Sequence, residues 1–180
     1  AWCGWGGWLA GWLGGGWGGA DGDCLRKAVG EGGFHVSRFR VLANGRSCVA
    51  GVLVGACGER QIGNFRGQFP EPANWLPRGE VEAASVVLAD PRWLVGAVAM
   101  FKAARAKAVP TVLDADVADA EVFGTLLPLT DHAIFSEPAL SGFAGSTDEE
   151  ALVRIAKFGC AVAAVTRGAD GVSWLANNVA

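Results

Sequence analysis

SVVLADPRWLVGAVAMFKAARAKAVPTVLDAD, residues 85–116, decides the fold. SVVLAD (85–90) is a short apolar run rich in β-branched residues and closed by an aspartate, the pattern of a buried strand. Pro91 opens a stretch to Lys107 in which Leu94, Val98, Phe101 and Arg105 fall along one stripe, and this spacing predicts a helix. TVLDAD (111–116) is a second apolar strand. Strand, helix and strand in this order form a unit whose two strands lie parallel, because only a crossover returns the chain to the same edge.

The same rhythm runs on toward the C-terminus. Asp119 to Leu127 reads as a helix, HAIFS (132–136) as a strand, and Glu137 to Ala144 as a short helix. Ser146 and Glu149 have the spacing of a capping box for a helix running to Phe158. AVAAVT (161–166) is a strand, and GVSWL (171–175) is another after a glycine-bounded turn. Continuous apolar strands alternating with helices predict an α/β fold, a mainly parallel sheet with helices on both faces and right-handed crossovers.

Upstream the character changes. Ser47 to Val54 and Glu59 to Phe65 are β-prone runs around Gly55-Ala-Cys-Gly58, the signature of a hairpin. Gly67 to Gly79 contains Pro70, Pro72 and Pro77 and reads as a loop. DGDCLRKAVGEGG (21–33) reads as a helix capped by Asp21 or Asp23 and stopped by Gly32 and Gly33. AWCGWGGWLAGWLGGGWGGA (1–20) carries no charge and is mostly Gly and Trp. Trp5, Trp8, Leu9 and Trp12 fall at helical spacing, but each interior glycine costs about 1 kcal/mol in a helix. The segment lacks the basic flank of a secretory signal and is too glycine-rich for a membrane span. Gly14, Gly16 and Gly19 fit G-x-G-x-x-G only formally, since no strand is expected before them. Gly/Trp alternation is also what GC-rich DNA yields in a wrong frame, so residues 1–20 are expected to be atypical and possible non-native sequence.

Composition narrows the function classes. The chain has 180 residues, 51% of them hydrophobic and 18% charged, with a net charge of −3. That is the composition of a globular domain, and the acidic balance (pI about 5.4) argues against a nucleic-acid partner. No membrane partner is expected. Cys3, Cys24, Cys48, Cys57 and Cys160 form no CxxC pair, and with two histidines they supply no zinc framework. Free thiols suit a reducing, cytoplasmic setting.

In parallel sheets, ligands bind beyond the carboxyl ends of the strands. Four consecutive ends carry polar residues: Asp90 with Arg92, Asp114 with Asp116, Ser136 with Glu137, and Thr166 with Gly168. Thr166-Arg-Gly-Ala-Asp-Gly171 is the most specific of them. It places a hydroxyl and side-chain-free backbone at one rim, where phosphate oxygens can come close. An ordinary glycine-turn hairpin has the same sequence pattern. No Walker lysine motif is present.

GDCLRKAVGEGG, GERQIGNFRG (58–67), VVLADPRW (86–93), PTVLDADVA (110–118), DHAIFSEPALSGFAG (131–145) and AVTRGADGVSW (164–174) together resemble, in order and spacing, the central part of the PfkB, or ribokinase-like, carbohydrate kinases. The resemblance covers residues 21–175 and is strongest to the ketohexokinase-like and sulfofructose-kinase-like branch. It implies a three-layer α/β sandwich with a mainly parallel sheet over residues 21–180, incomplete at both ends, and a small β lid formed by the hairpin at about 46–66. It implies ATP and Mg2+ as cofactors and a small sugar as substrate, with homodimerisation through the lid. Asn64, Arg66, Arg92, Asp114 and Asp116 would line the sugar site. Thr166, Gly168 and Gly171 would contact ATP. Ser136 and Glu137 stand where relatives carry an Asn-x-x-Glu motif for magnesium and phosphate; here Ser136 replaces Asn, and Ala139 stands where the Glu would. The family's Gly-Ala-Gly-Asp run, which supplies the catalytic base, is absent from the sequence, so no catalytic residue is assigned. The expectation is a sugar-kinase fragment, inactive and poorly soluble alone; the alternative is a non-catalytic nucleotide- or sugar-binding relic of the family.

Overall fold

The computed structural model describes residues 14–17, 20–42, 49–58, 60–65 and 73–176, in two compact units divided at residue 70. The expected helical spacing at 5–12, Arg66 and the proline-rich stretch at 67–72 lie outside the described residues.

In the first unit, strand β1 (Gly14–Trp17) pairs in parallel with β2 (Phe39–Leu42), and helix α1 (Ala20–Glu31) lies between them in sequence. Gly33, at φ +84°, turns the chain after the helix. Strands β3 (Val49–Val54) and β4 (Arg60–Phe65) form the expected antiparallel hairpin, in the register Val54↔Arg60 to Val49↔Phe65. Gly58 donates its N–H to Gly55 O at 2.9 Å and takes φ +83°, a conformation glycine adopts without strain. Val52, Leu53, Val54 and Phe65 of this hairpin are exposed.

The second unit is the predicted α/β sheet. Its elements are β5 (Val87–Ala89), α2 (Leu94–Ala106), β6 (Thr111–Ala115), α3 (Ala120–Leu126), β7 (His132–Ser136), α4 (Glu137–Ala144), α5 (Glu149–Ala156), β8 (Val162–Thr166) and β9 (Val172–Ala176). The five strands lie in the order β5-β6-β7-β8-β9. The first four are parallel, and β9 pairs antiparallel with β8 across the glycine-bounded turn.

This order sets the helices of this unit over one face of the sheet. When each successive parallel strand adds to the same edge, right-handed crossovers all pass over one face. Leu113, Ala115, Ala133, Phe135, Ala163 and Val165 point into that face and are buried with Phe101, Phe123, Leu140 and Ile155 from the helices. The register sets Leu88, Val112, Ile134, Ala164 and Trp174 on the opposite face. There Trp174 is 65% exposed and Leu88 49% exposed. Phe123 packs on Phe135 and Phe143 at 5.1 Å between ring centroids, and Phe143 on Phe158 at 6.0 Å, tying α3, β7, α4 and the end of α5 together.

Of the expected α2 stripe, Phe101 is buried and Leu94 and Val98 pack against the core, whereas Arg105 faces outward and lies 3.7 Å from Asp131. One local expectation is revised. Helix α5 is capped by Asp148, not Ser146. The Asp148 carboxylate accepts from the Ala151 N–H at 2.9 Å, and the Ser146 hydroxyl donates to the same carboxylate oxygen at 2.9 Å. These two bonds hold the Asp148 carboxyl below its ordinary pKa.

Candidate functional site

The carboxyl ends of β5 to β8 line one edge of the sheet, and most of the expected site residues stand there. At the end of β5, Asp90 caps the following turn by accepting from the Arg92 N–H at 2.9 Å. The Arg92 guanidinium crosses to the end of β6 and pairs with the Asp116 carboxylate at 2.5 Å. Both side chains are about half exposed, so this pair contributes little to stability, about 0–1 kcal/mol. Its effect is on charge, since Asp116 already occupies the guanidinium. Asp114 lies on β6 beside Ile134, on the face opposite the helices.

At the end of β7, Ser136 is the cap of α4, its hydroxyl accepting from the Ala139 N–H at 3.4 Å. Ser136 and Thr166 are register partners on β7 and β8, so the groups expected at magnesium and at ATP stand side by side. The Thr166 hydroxyl is directed across the strands, donating to Phe135 O at 3.3 Å.

Beyond Thr166 the chain makes a closed turn. The Arg167 N–H donates to Gly171 O at 2.8 Å, and Arg167 O accepts from the Asp170 N–H at 3.1 Å. Gly168 has φ +57°, and Gly171 has φ +88° with ψ −141°, a region open to glycine almost alone. A Cβ added to either glycine would meet nothing within 4 Å, so the space over the turn is open. That space and the bare backbone fit the approach of a polyphosphate. Asn64 lies on β4 of the first unit, paired in register with Ala50.

Sequence reading missed the residue that holds this edge together. Arg167 donates from Nη1 to Glu137 Oε1 at 3.1 Å and to Thr147 Oγ1 at 3.4 Å, and from Nη2 to Thr147 O. Its only signal in the sequence is a long cation inside a glycine turn. The partners lie 30 and 20 residues away. Among the described residues no group of three His, Cys, Asp or Glu side chains could hold a metal ion. A magnesium ion held largely by its own waters and by nucleotide phosphates, its usual mode in phosphoryl transfer, needs no such group. No helix among the described residues is long and apolar enough to cross a membrane.

Comparison with known proteins places this arrangement. The model of the pfkB family of carbohydrate kinases matches residues 7–180. Among solved structures, a protein of Agrobacterium tumefaciens described as a candidate ribokinase aligns with a TM-score of 0.85 at 28% identity, over 94% of this chain and 56% of its own length. The ribokinase of Arabidopsis thaliana, solved with ribose and ATP, aligns at 0.79 and 21% identity, over 96% of this chain and 59% of its own. The adenosine kinase of Sinorhizobium meliloti aligns at 0.78 and 16% identity, over 94% and 56%. The chain thus spans less than two thirds of the length of each.

Proposed function

This chain belongs to the pfkB family of carbohydrate kinases, and from that premise we propose that it forms the nucleotide-binding part of an ATP-dependent kinase acting on a small sugar. The observation that carries the proposal is the Thr166–Gly171 turn, with two glycines in left-handed backbone and open space above, at the carboxyl edge of a parallel sheet. In the reaction, a sugar hydroxyl oxygen forms a bond to the γ-phosphorus of ATP. The bond to the β–γ bridging oxygen breaks, ADP leaves, and the hydroxyl proton passes to a base. Such transfer depends on positioning and charge stabilisation rather than covalent chemistry. Magnesium, when bound with ATP, neutralises charge on the β- and γ-phosphates. Thr166, Gly168 and Gly171 line the phosphate path, and Ser136 and Glu137 border it. No residue of this chain is assigned as the base.

Arg92, Asp114 and Asp116 fit the sugar side, at the ends of the neighbouring strands; for Asn64 and Arg66 a sugar-binding role is proposed on the family resemblance alone. An anionic substituent on the sugar, as the sulfofructose-kinase-like placement requires, would compete with Asp116 for Arg92. The exposed apolar residues of the β3–β4 hairpin support the further proposal of pairing between two copies through the lid.

The test is calorimetric titration of the 180-residue chain with magnesium–ATP. We expect binding that is lost in Gly171→Val, because a β-branched side chain cannot adopt that backbone without rebuilding the turn. Absence of heat up to several millimolar ATP, about the weakest binding such a titration resolves, would refute the nucleotide reading.

A further inference from the structure

We infer that Arg167 is the positioning residue of the nucleotide turn, setting its shape and also cancelling the charge of Glu137 beside the phosphate path; the inference rests on the nucleotide reading above. Three segments distant in sequence meet at one guanidinium: the first turn of α4 at Glu137, the loop before α5 at Thr147, and the β8–β9 turn that carries Arg167 itself. The main chain of Arg167 closes the turn at both its N–H and its carbonyl. One residue therefore fixes the turn to itself and to both neighbouring segments.

Each part has a physical consequence. Gly168 and Gly171 give the turn its backbone shape but also leave it freer than other residues would, so it needs an external anchor. The planar fork of Arg167 supplies one, reaching a carboxylate and a carbonyl at once, which a lysine ammonium does not reproduce. The charge matters separately. Glu137 is exposed and stands at the end of β7, the strand beside Thr166. An uncompensated carboxylate there repels a triphosphate, and the 3.1 Å pair with Arg167 offsets that repulsion. The sequence pattern Thr-x-Gly-x-x-Gly leaves the second position open, so this assignment concerns the side chain this protein has there.

The two roles separate in the ligands they affect. Magnesium–ATP and adenosine serve as probes, titrated into wild type, Arg167→Ala and the double variant Arg167→Ala/Glu137→Gln. For Arg167→Ala we expect ATP affinity to fall about tenfold or more, the scale of a lost charge-assisted contact, with adenosine affinity falling less. Removing the Glu137 charge in the double variant is expected to restore part of the ATP affinity. An unchanged ATP affinity in Arg167→Ala, with wild type binding, overturns this inference and leaves the nucleotide reading intact. A parallel fall for ATP and adenosine with no recovery in the double variant also overturns it, since a merely structural residue behaves in that way. A wild type that binds no ATP overturns both. Should Arg167→Ala fail to fold, Arg167→Gln removes the charge while keeping side-chain donors, and the same outcomes decide.

Discussion

Gly96 sits in the first turn of α2 beneath the indole of Trp93. A Cβ there would lie 2.3 Å from Trp93 Cε3 and 2.5 Å from Cδ2. The ring has little freedom to yield, because it stacks on Trp75 at 5.6 Å between centroids with only 17° between planes. We predict that Gly96→Ala destabilises the second unit by about 1–3 kcal/mol, the usual cost of overpacking, despite the better helix propensity of alanine. Urea denaturation followed by tryptophan emission checks this, since the Trp75–Trp93 stack is part of what moves. Cys160 carries a second prediction. It is buried, its Sγ lies 3.8 Å from Leu127 O, and burial with the neighbouring Asp131 charge pushes the thiol up to about 11 from an ordinary 9.0. The unfolded thiol therefore ionises first. Its contribution to stability is intact below pH 9 and is lost as pH rises from 9 to 11. Denaturation midpoints across that range should fall in wild type more steeply than in Cys160→Ala. Thiol labelling of native protein at pH 8 should reach the exposed Cys24 and Cys57 well before Cys160.

At the scale of elements, the cap of α5 gives a direct comparison. Asp148 accepts the Ala151 N–H, whereas Ser146 bonds only to the Asp148 side chain. We expect Asp148→Ala to lower the thermal midpoint and Ser146→Ala to lower it less; the reverse order would restore the serine as cap. Because the Asp148 carboxyl titrates below its ordinary value, its contribution is present above about pH 4 and is lost as pH falls through the lowered value. Sequence was a good guide to the strands and a poorer one to details of this kind. HAIFS and TVLDAD were legible because a buried parallel strand is a short, mostly apolar run bounded by turn signals. The cap was not, because Ser146 and Asp148 are both capping residues and only the backbone decides which carbonyl opens the helix. The glycine-bounded turn that follows Thr166 was legible from local pattern. Arg167 was not, because its meaning lies in Glu137 and Thr147, which no local pattern connects to it.

For the whole molecule, strand order is what the alternation of strands and helices left open. The order β5-β6-β7-β8-β9 sends all crossovers of the second unit over one face and leaves Leu88, Val172 and Trp174 exposed on the other. Exposed apolar side chains such as the neighbouring Val172 and Trp174 promote self-association. We predict that Val172→Thr combined with Trp174→Lys raises the soluble yield of the 180-residue chain and reduces its binding of a hydrophobic dye, without shifting the thermal midpoint by more than a few degrees. Aggregation unchanged by the pair would place its cause elsewhere, with the exposed β3–β4 hairpin the next surface to alter.

The same strand order also bears on how the unit is made. Each of β6, β7, β8 and β9 pairs with the strand immediately before it in the chain, so no pairing waits for a segment not yet synthesised. As the polypeptide leaves the ribosome, each new strand can pair with an edge already made, so this order lets the unit grow by accretion from its N-terminal side.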